Sequence, residues 1–164
     1  MSLEWLPELI EPEDGESIHG EYLDRVFAIY ERDLVYSRPS SENYRFGIKI
    51  YPDQFGWPAT FWHLISEGEP ESQRILKIQR SKYIAWVRPL IDEFLDQFPN
   101  FNTGQINWWQ NSRKGKTRLL VSTINFEYLV VLELRKNLVL FCTAYPTTKR
   151  TAEKLQREFE EFWR

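Results

Sequence analysis

Histidine is the side chain best suited to moving protons near neutral pH, and the 164-residue chain holds only two, His19 and His63. His63 stands in PATFWHLISEG, directly after Phe61 and Trp62. On a helix turning about 100° per residue, Phe61, Trp62, Leu64 and Ile65 share one apolar face. His63 then points the opposite way, between Ser66 and Glu67, and is expected to look into solvent or into a cleft. Thr60 is expected to cap this helix and Gly68 to end it, which puts His63 in the first turn. There the helix dipole disfavours protonation, and a neutral imidazole on an anchored backbone suits a general base. A plain surface histidine is the alternative. No other His, Cys or acid lies at a metal-ligand spacing from it, so no metal site is expected. No cofactor is expected either, since GxGxxG, P-loop and G-x-S-x-G patterns are absent. His19, in an acidic region without a partner, reads as a surface residue. Cys142 lies inside a continuous apolar strand and reads as a buried, inert thiol.

Phosphate chemistry would need cations, and their placement is uneven. The formal net charge is −3, yet residues 1–33 alone carry −8 and the rest of the chain +5. Arg74 to Arg88 (RILKIQRSKYIAWVR) has five cations and no acid, interleaved with Tyr83 and Trp86, a combination suited to nucleic acid. Arg113 to Arg118 (RKGKTR) has four cations in six positions. In FCTAYPTTKR, Thr143 and Tyr145 are two residues apart and so share a strand face. Lys149 and Arg150 follow at the start of the last helix, and together these form a candidate phosphate-binding edge. Solvated faces, a turn and strand-end polar residues are the bland alternatives for the three patches.

The elements that must position these groups change character along the chain. Acidic residues 1–20 are expected to form a short helix around Trp5–Ile10 followed by a loop. The alternation within 22–35 favours a strand, and FGIKIYP at 46–52 a short partner strand. Pro70 suits the first turn of a helix running to about Lys82, and a regular helix is expected from Pro89, with Ile91 and Phe94 or Leu95 on its inner face. After residue 105 come INWWQNSR, TRLLVST, EYLVVLELR and LVLFCTAY, short runs rich in β-branched and aromatic residues separated by turns. Segments 127–135 and 138–145 are apolar at nearly every position and are expected to be central strands joined at Lys136-Asn137. The last 18 residues read as an amphipathic helix with Leu155, Phe159 and Phe162 inward. The expected fold is α+β: N-terminal and middle helices packed on a mainly antiparallel sheet of about four to six strands, with a C-terminal helix. One domain over 1–164 is the simplest organisation, an acidic segment at 1–20 preceding a body at 21–164. A single cysteine, no apolar run long enough to span a bilayer and no signal-peptide pattern point to a cytoplasmic protein.

Taken together, FWHLISEG, the basic stretch reaching IAWVRPLI, W-W…R, YLVVL and TAYPT resemble a group of small phage-associated proteins. That group is placed in the barnase–EndoU–colicin–RelE-like (BECR) nuclease superfamily, and the likeness runs from about Tyr22 to the C-terminus. The resemblance implies helices packed on an antiparallel sheet of about four strands, and metal-independent cleavage of RNA, a tRNA or an mRNA, through its 2′-hydroxyl. It implies His63 as base or acid, Arg88 as phosphate clamp, and Thr143 and Tyr145 as phosphate-orienting groups, Tyr145 also as proton donor. Arg80, Arg118, Lys149 and Arg150 become further contacts to the nucleic acid, and an inhibitor or other protein partner is a second expectation. The acidic first 33 residues support two other ideas: a segment folded over the basic face, or a non-catalytic, immunity- or antitoxin-like module binding a basic protein.

Overall fold

The computed structural model describes residues 3–101 and 104–164. Tyr22, Leu23, Val26, Tyr30 and Leu34 are buried at helical spacing and belong to helix α1 (Leu23–Tyr30) and the wide π-type turns, Ile18–Tyr22 and Glu31–Val35, that extend it. The strand expected here is thus a helix. The alternation at 26–30 is the shorter pattern, and the three-to-four-residue spacing over 22–34 outweighs it because it buries one continuous stripe. Strand β1 (Arg45–Gly47) is followed by α2 (Ala59–Ile65) and a small hairpin of β2 (Ser66–Glu67) with β3 (Ile75–Leu76). Where one helix was expected from Pro70 to Lys82, the chain instead makes a 3₁₀ turn at Glu71–Gln73, then β3, then α3 (Ile78–Ser81). Helix α4 (Val87–Gln97) carries Pro89 in its first turn, where a missing N–H costs nothing, and buries Leu90, Ile91, Phe94 and Leu95.

Strands β4 (Ile106–Arg113), β5 (Lys116–Thr123), β6 (Tyr128–Arg135) and β7 (Leu138–Pro146) form an antiparallel meander. Two-residue turns at Lys114-Gly115 and Lys136-Asn137 join the outer pairs, and β1 adds to β7 in parallel, giving the order β1-β7-β6-β5-β4. Val130, Leu132, Phe141 and Ala144 face the core shared with α1, α2 and α4, whereas Trp109, Leu120, Leu129 and Val131 face α5 (Lys149–Trp163). Coverage of both faces explains why β6 and β7 are apolar in both phases, and the fold is α+β as expected. On α5, Leu155 is buried and Phe159 half-buried, but Phe162 stays 41% exposed. Trp163, not Phe162, takes the inward place, donating Nε1–H to the Trp108 carbonyl at 2.6 Å. No helix among the described residues is long and apolar enough to cross a membrane.

The acidic segment is not helical at Trp5–Ile10; Pro7 and Pro12 suit an extended strap instead. Trp86 Nε1 donates to the Pro7 carbonyl at 2.8 Å, Ile10 N–H to the Lys82 carbonyl at 2.9 Å, and the Tyr22 hydroxyl to the Ile10 carbonyl at 2.9 Å. It meets the basic stretch through Glu11 and Lys82, 3.8 Å apart. Arg25 closes the strap with a two-pronged bond to Glu16 (2.6 and 2.8 Å), which depresses the Glu16 carboxyl from 4.5 to about 2. A depressed carboxyl stabilises the fold above its unfolded pKa, and that contribution is lost as pH falls through the folded value. The strap is therefore expected to loosen between about pH 4.5 and 2. The check is acid titration of Trp86 side-chain indole NMR signals: Glu16→Gln should remove that transition, and its persistence there would refute the assignment.

Candidate functional site

Strand β1 pairs with β7 only over Leu138–Leu140. From Phe141 to Pro146 the β7 edge has no neighbouring strand among the described residues, and an open edge presents backbone groups that need partners. Arg80 of α3 supplies one. Its Nη2 donates to the Ala144 carbonyl at 2.9 Å and to Thr143 Oγ1 at 3.0 Å, while its guanidinium lies 5.5 Å from the Tyr145 ring centre. Thr143 and Tyr145 stand opposite Val131 and Leu129, so they do share a face. No carboxylate among the described residues pairs with Arg80, and its buried Nε has no hydrogen-bond partner. Burial, followed by the nearby Arg74 charge, pushes the Arg80 pKa down. A buried cation without an ion-pair partner favours an added anion. Arg80 opens onto a cleft of about 720 Å³ that Glu67, Lys77, Tyr83, Tyr145, Thr147 and Thr148 also line, the Glu67 charge acting on Arg80 from beyond ion-pair distance.

His63 lies in a separate cleft, which shares no lining residue with that of Arg80 and reaches β7 at Phe141 and Cys142. Phe61, Trp62, Leu64 and Ile65 are buried and His63 is half-buried, as the helical wheel requires. The helix starts earlier than expected, at Ala59, so His63 is in its last turn and the dipole there favours the protonated ring. Thr60 is no cap: it is buried, and its Oγ1 accepts from Lys49 N–H at 2.7 Å. His63 Nε2 lies 2.9 Å from each oxygen of Glu71. Burial lowers the His63 pKa below 6.5, the charges of Arg74 and Arg80 lower it further, and Glu71 opposes them. The net shift is downward, which favours the neutral ring, here through burial and not through the helix dipole. A neutral ring donates Nε2–H to the carboxylate and keeps its lone pair on Nδ1, the tautomer a general base needs. The surrounding cleft, about 470 Å³, is lined by Lys49, Tyr51, Thr60, Glu71, Phe141 and Cys142 among others. Arg74 pins the turn that delivers Glu71, donating to Ser66 Oγ at 3.0 Å and to the Ser66 carbonyl at 2.6 Å.

The remaining candidates lie apart. Arg88 is held by Asp92 (2.9 Å), the Asp33 carbonyl (2.8 Å) and the Ser37 carbonyl, where it ties α4 to the end of the first helix and lines neither cleft. Arg118 stands in register with Glu133 on the α5 side of the sheet, and the Glu133 carboxylate pairs with Lys116 and Arg135. Lys149 and Arg150 are exposed at the start of α5, just past the Thr147–Thr148 wall of the Arg80 cleft. Cys142 is half-buried, with its thiol pKa pushed up by burial, and His19 is exposed. Among the described residues no three His, Cys, Asp or Glu side chains gather as a metal would require. Glu71 and Arg74 were missed in the sequence, and Arg80 was underrated relative to Arg88. Comparison with family models, with curated proteins and with solved structures finds no significant match to the chain.

Proposed function

We propose that the protein binds RNA along the open edge of β7 and cleaves it without a metal, by attack of a 2′-hydroxyl on the adjacent phosphate. The carrying observation is Arg80, a half-buried cation that no carboxylate among the described residues pairs with, bonded to Thr143 and Ala144 at the β7 edge and open to a cleft. Arg80 takes the phosphate role expected of Arg88. His63 Nδ1 accepts the 2′-hydroxyl proton as the 2′-oxygen-to-phosphorus bond forms, and Glu71 stabilises the resulting imidazolium. The bond from phosphorus to the 5′-oxygen breaks, and Tyr145, under the Arg80 guanidinium, is the proton donor to that leaving oxygen. The products are a 2′,3′-cyclic phosphate and a free 5′-hydroxyl.

The experiment is cleavage of single-stranded RNA in EDTA with analysis of the new ends. Wild type should give cyclic phosphate ends. Arg80→Gln should weaken RNA binding and flatten its salt dependence by about one phosphate contact. Equal RNA affinity in wild type and Arg80→Gln, or no cleavage by wild type, would sink the proposal in favour of the protein-binding module.

A further inference from the structure

Beside the Arg80 cleft runs a second groove, about 670 Å³, of different character. Its floor and walls include Leu23, Phe55, Trp57, Trp62, Ile75 and Ile78, and the two grooves share Lys77 and Gln79 on their common rim. Arg74, whose charge acts on both His63 and Arg80, lines it as well.

Phe55 is the unusual residue. It sits with Gly56 in the two-residue turn between Gln54 and Trp57, closed by backbone bonds of 3.0 and 2.8 Å. Its φ is 53°, in the left-handed region that bulky L-residues avoid, and its side chain is 82% exposed. Glycine would satisfy the turn without strain, and a polar residue would suit the exposure. Neither the backbone nor burial accounts for an aromatic here. What the ring does have is position: it meets Trp62 edge-on at 5.5 Å and overhangs the groove. Strain retained at such a place points to a ligand.

We propose that this groove is a nucleobase subsite, in which a base of single-stranded RNA stacks on Phe55 against the Trp57 and Trp62 wall. Continuity with the Arg80 cleft carries the choice of occupant. A nucleotide places a flat, apolar-faced base one sugar away from a phosphate, and here an aromatic groove and the cleft of the Arg80 cation meet across Lys77. Every base offers a π-face, so the subsite favours single strands over duplex without reading sequence strongly. Gln79 on the shared rim offers an amide to a base edge.

This inference rests on the RNA reading above, and its test separates the two. Binding is measured by fluorescence anisotropy with a short 2′-O-methyl oligoribonucleotide, which cannot be cleaved through its 2′-oxygen, and with an abasic strand of the same length. Phe55→Gly should weaken the oligonucleotide by about 5- to 150-fold, leave the abasic strand unaffected, and leave thermal stability unchanged or higher because strain is relieved. Phe55→Trp should restore binding. If Arg80→Gln weakens the oligonucleotide and Phe55→Gly does not, the subsite falls and the RNA site stands. Equal weakening of the abasic strand by Phe55→Gly would mark Phe55 as structural and overturn the subsite. Absence of any oligonucleotide binding overturns both. An apolar fluorescent probe that enters the groove and is not displaced by oligonucleotide would assign it to a protein segment and overturn the subsite too.

Discussion

His63→Ala is expected to lower RNA cleavage by about 10²- to 10⁴-fold, the span of a lost general base, while RNA affinity, which Arg80 dominates, stays close to wild type. The pattern to look for is a fall in kcat with little change in KM. The pH dependence carries the finer test. Because the His63 pKa is lowered, chiefly by burial and then by Arg74, the acid limb of the rate profile should lie below 6.5. Glu71→Gln removes an influence that raises the pKa and should move that limb to still lower pH. Arg74→Gln removes one that lowers it and should move the limb up. For stability the sign is fixed in the same way: a histidine whose folded pKa lies below its unfolded value stabilises the fold above about 6.5, and that contribution is lost as pH falls through the folded pKa. With only two histidines in the chain, NMR titration of wild type and His63→Ala assigns His63 directly. A His63 titration at or above 6.5, or undiminished cleavage by His63→Ala, would remove it from the chemistry.

How far the sequence reaches depends on whether a residue's fate is set locally. Segments 127–135 and 138–145 are apolar in both phases, which only a sheet covered on two sides accommodates, and they are β6 and β7. The orientation of His63 is local too, since the apolar face of its own helix turns it away from the core. Its partner is not local. Glu71 reaches His63 because the chain folds back through β2, a 3₁₀ turn and β3, and no periodicity announces a return over eight residues. The arginines of the 74–88 stretch show the same limit. Arg80 and Arg88 look equivalent in sequence. One meets the bare β7 edge and the other meets carbonyls of residues 33 and 37, a division made by how α3 and α4 pack. The acidic segment was legible as charge, yet its form as a strap follows from Pro7 and Ile10 finding partners far along the chain.

Phe61→Ala is expected to cost about 3–5 kcal/mol of stability, a large share of the 5–15 kcal/mol typical of folded domains. Phe61 is fully buried, with ring centres 4.9 Å from Phe27, 5.1 Å from Tyr30 and 5.0 Å from Trp57. Four rings meeting at such distances interlock, so the void left by one cannot be filled by small shifts of the others, and the cavity cost adds to the lost burial. Phe61→Leu, which keeps most of the volume, should cost less. Within the same cluster Tyr30→Phe should be neutral or stabilising, because the buried Tyr30 hydroxyl finds no partner among the described residues. Denaturant unfolding of the three variants gives these values, and a loss below about 1 kcal/mol for Phe61→Ala would show that the cluster is not packed as described. The consequence for chemistry follows from covalent position. Phe61 is two residues from His63 and seats the short helix that carries it, so a cavity there lets α2 shift, admits water to the His63–Glu71 pair and relieves the burial that lowers the His63 pKa. In Phe61→Ala the acid limb of cleavage should therefore rise toward 6.5 as stability falls, whereas in Phe61→Leu the limb should stay near its wild-type position.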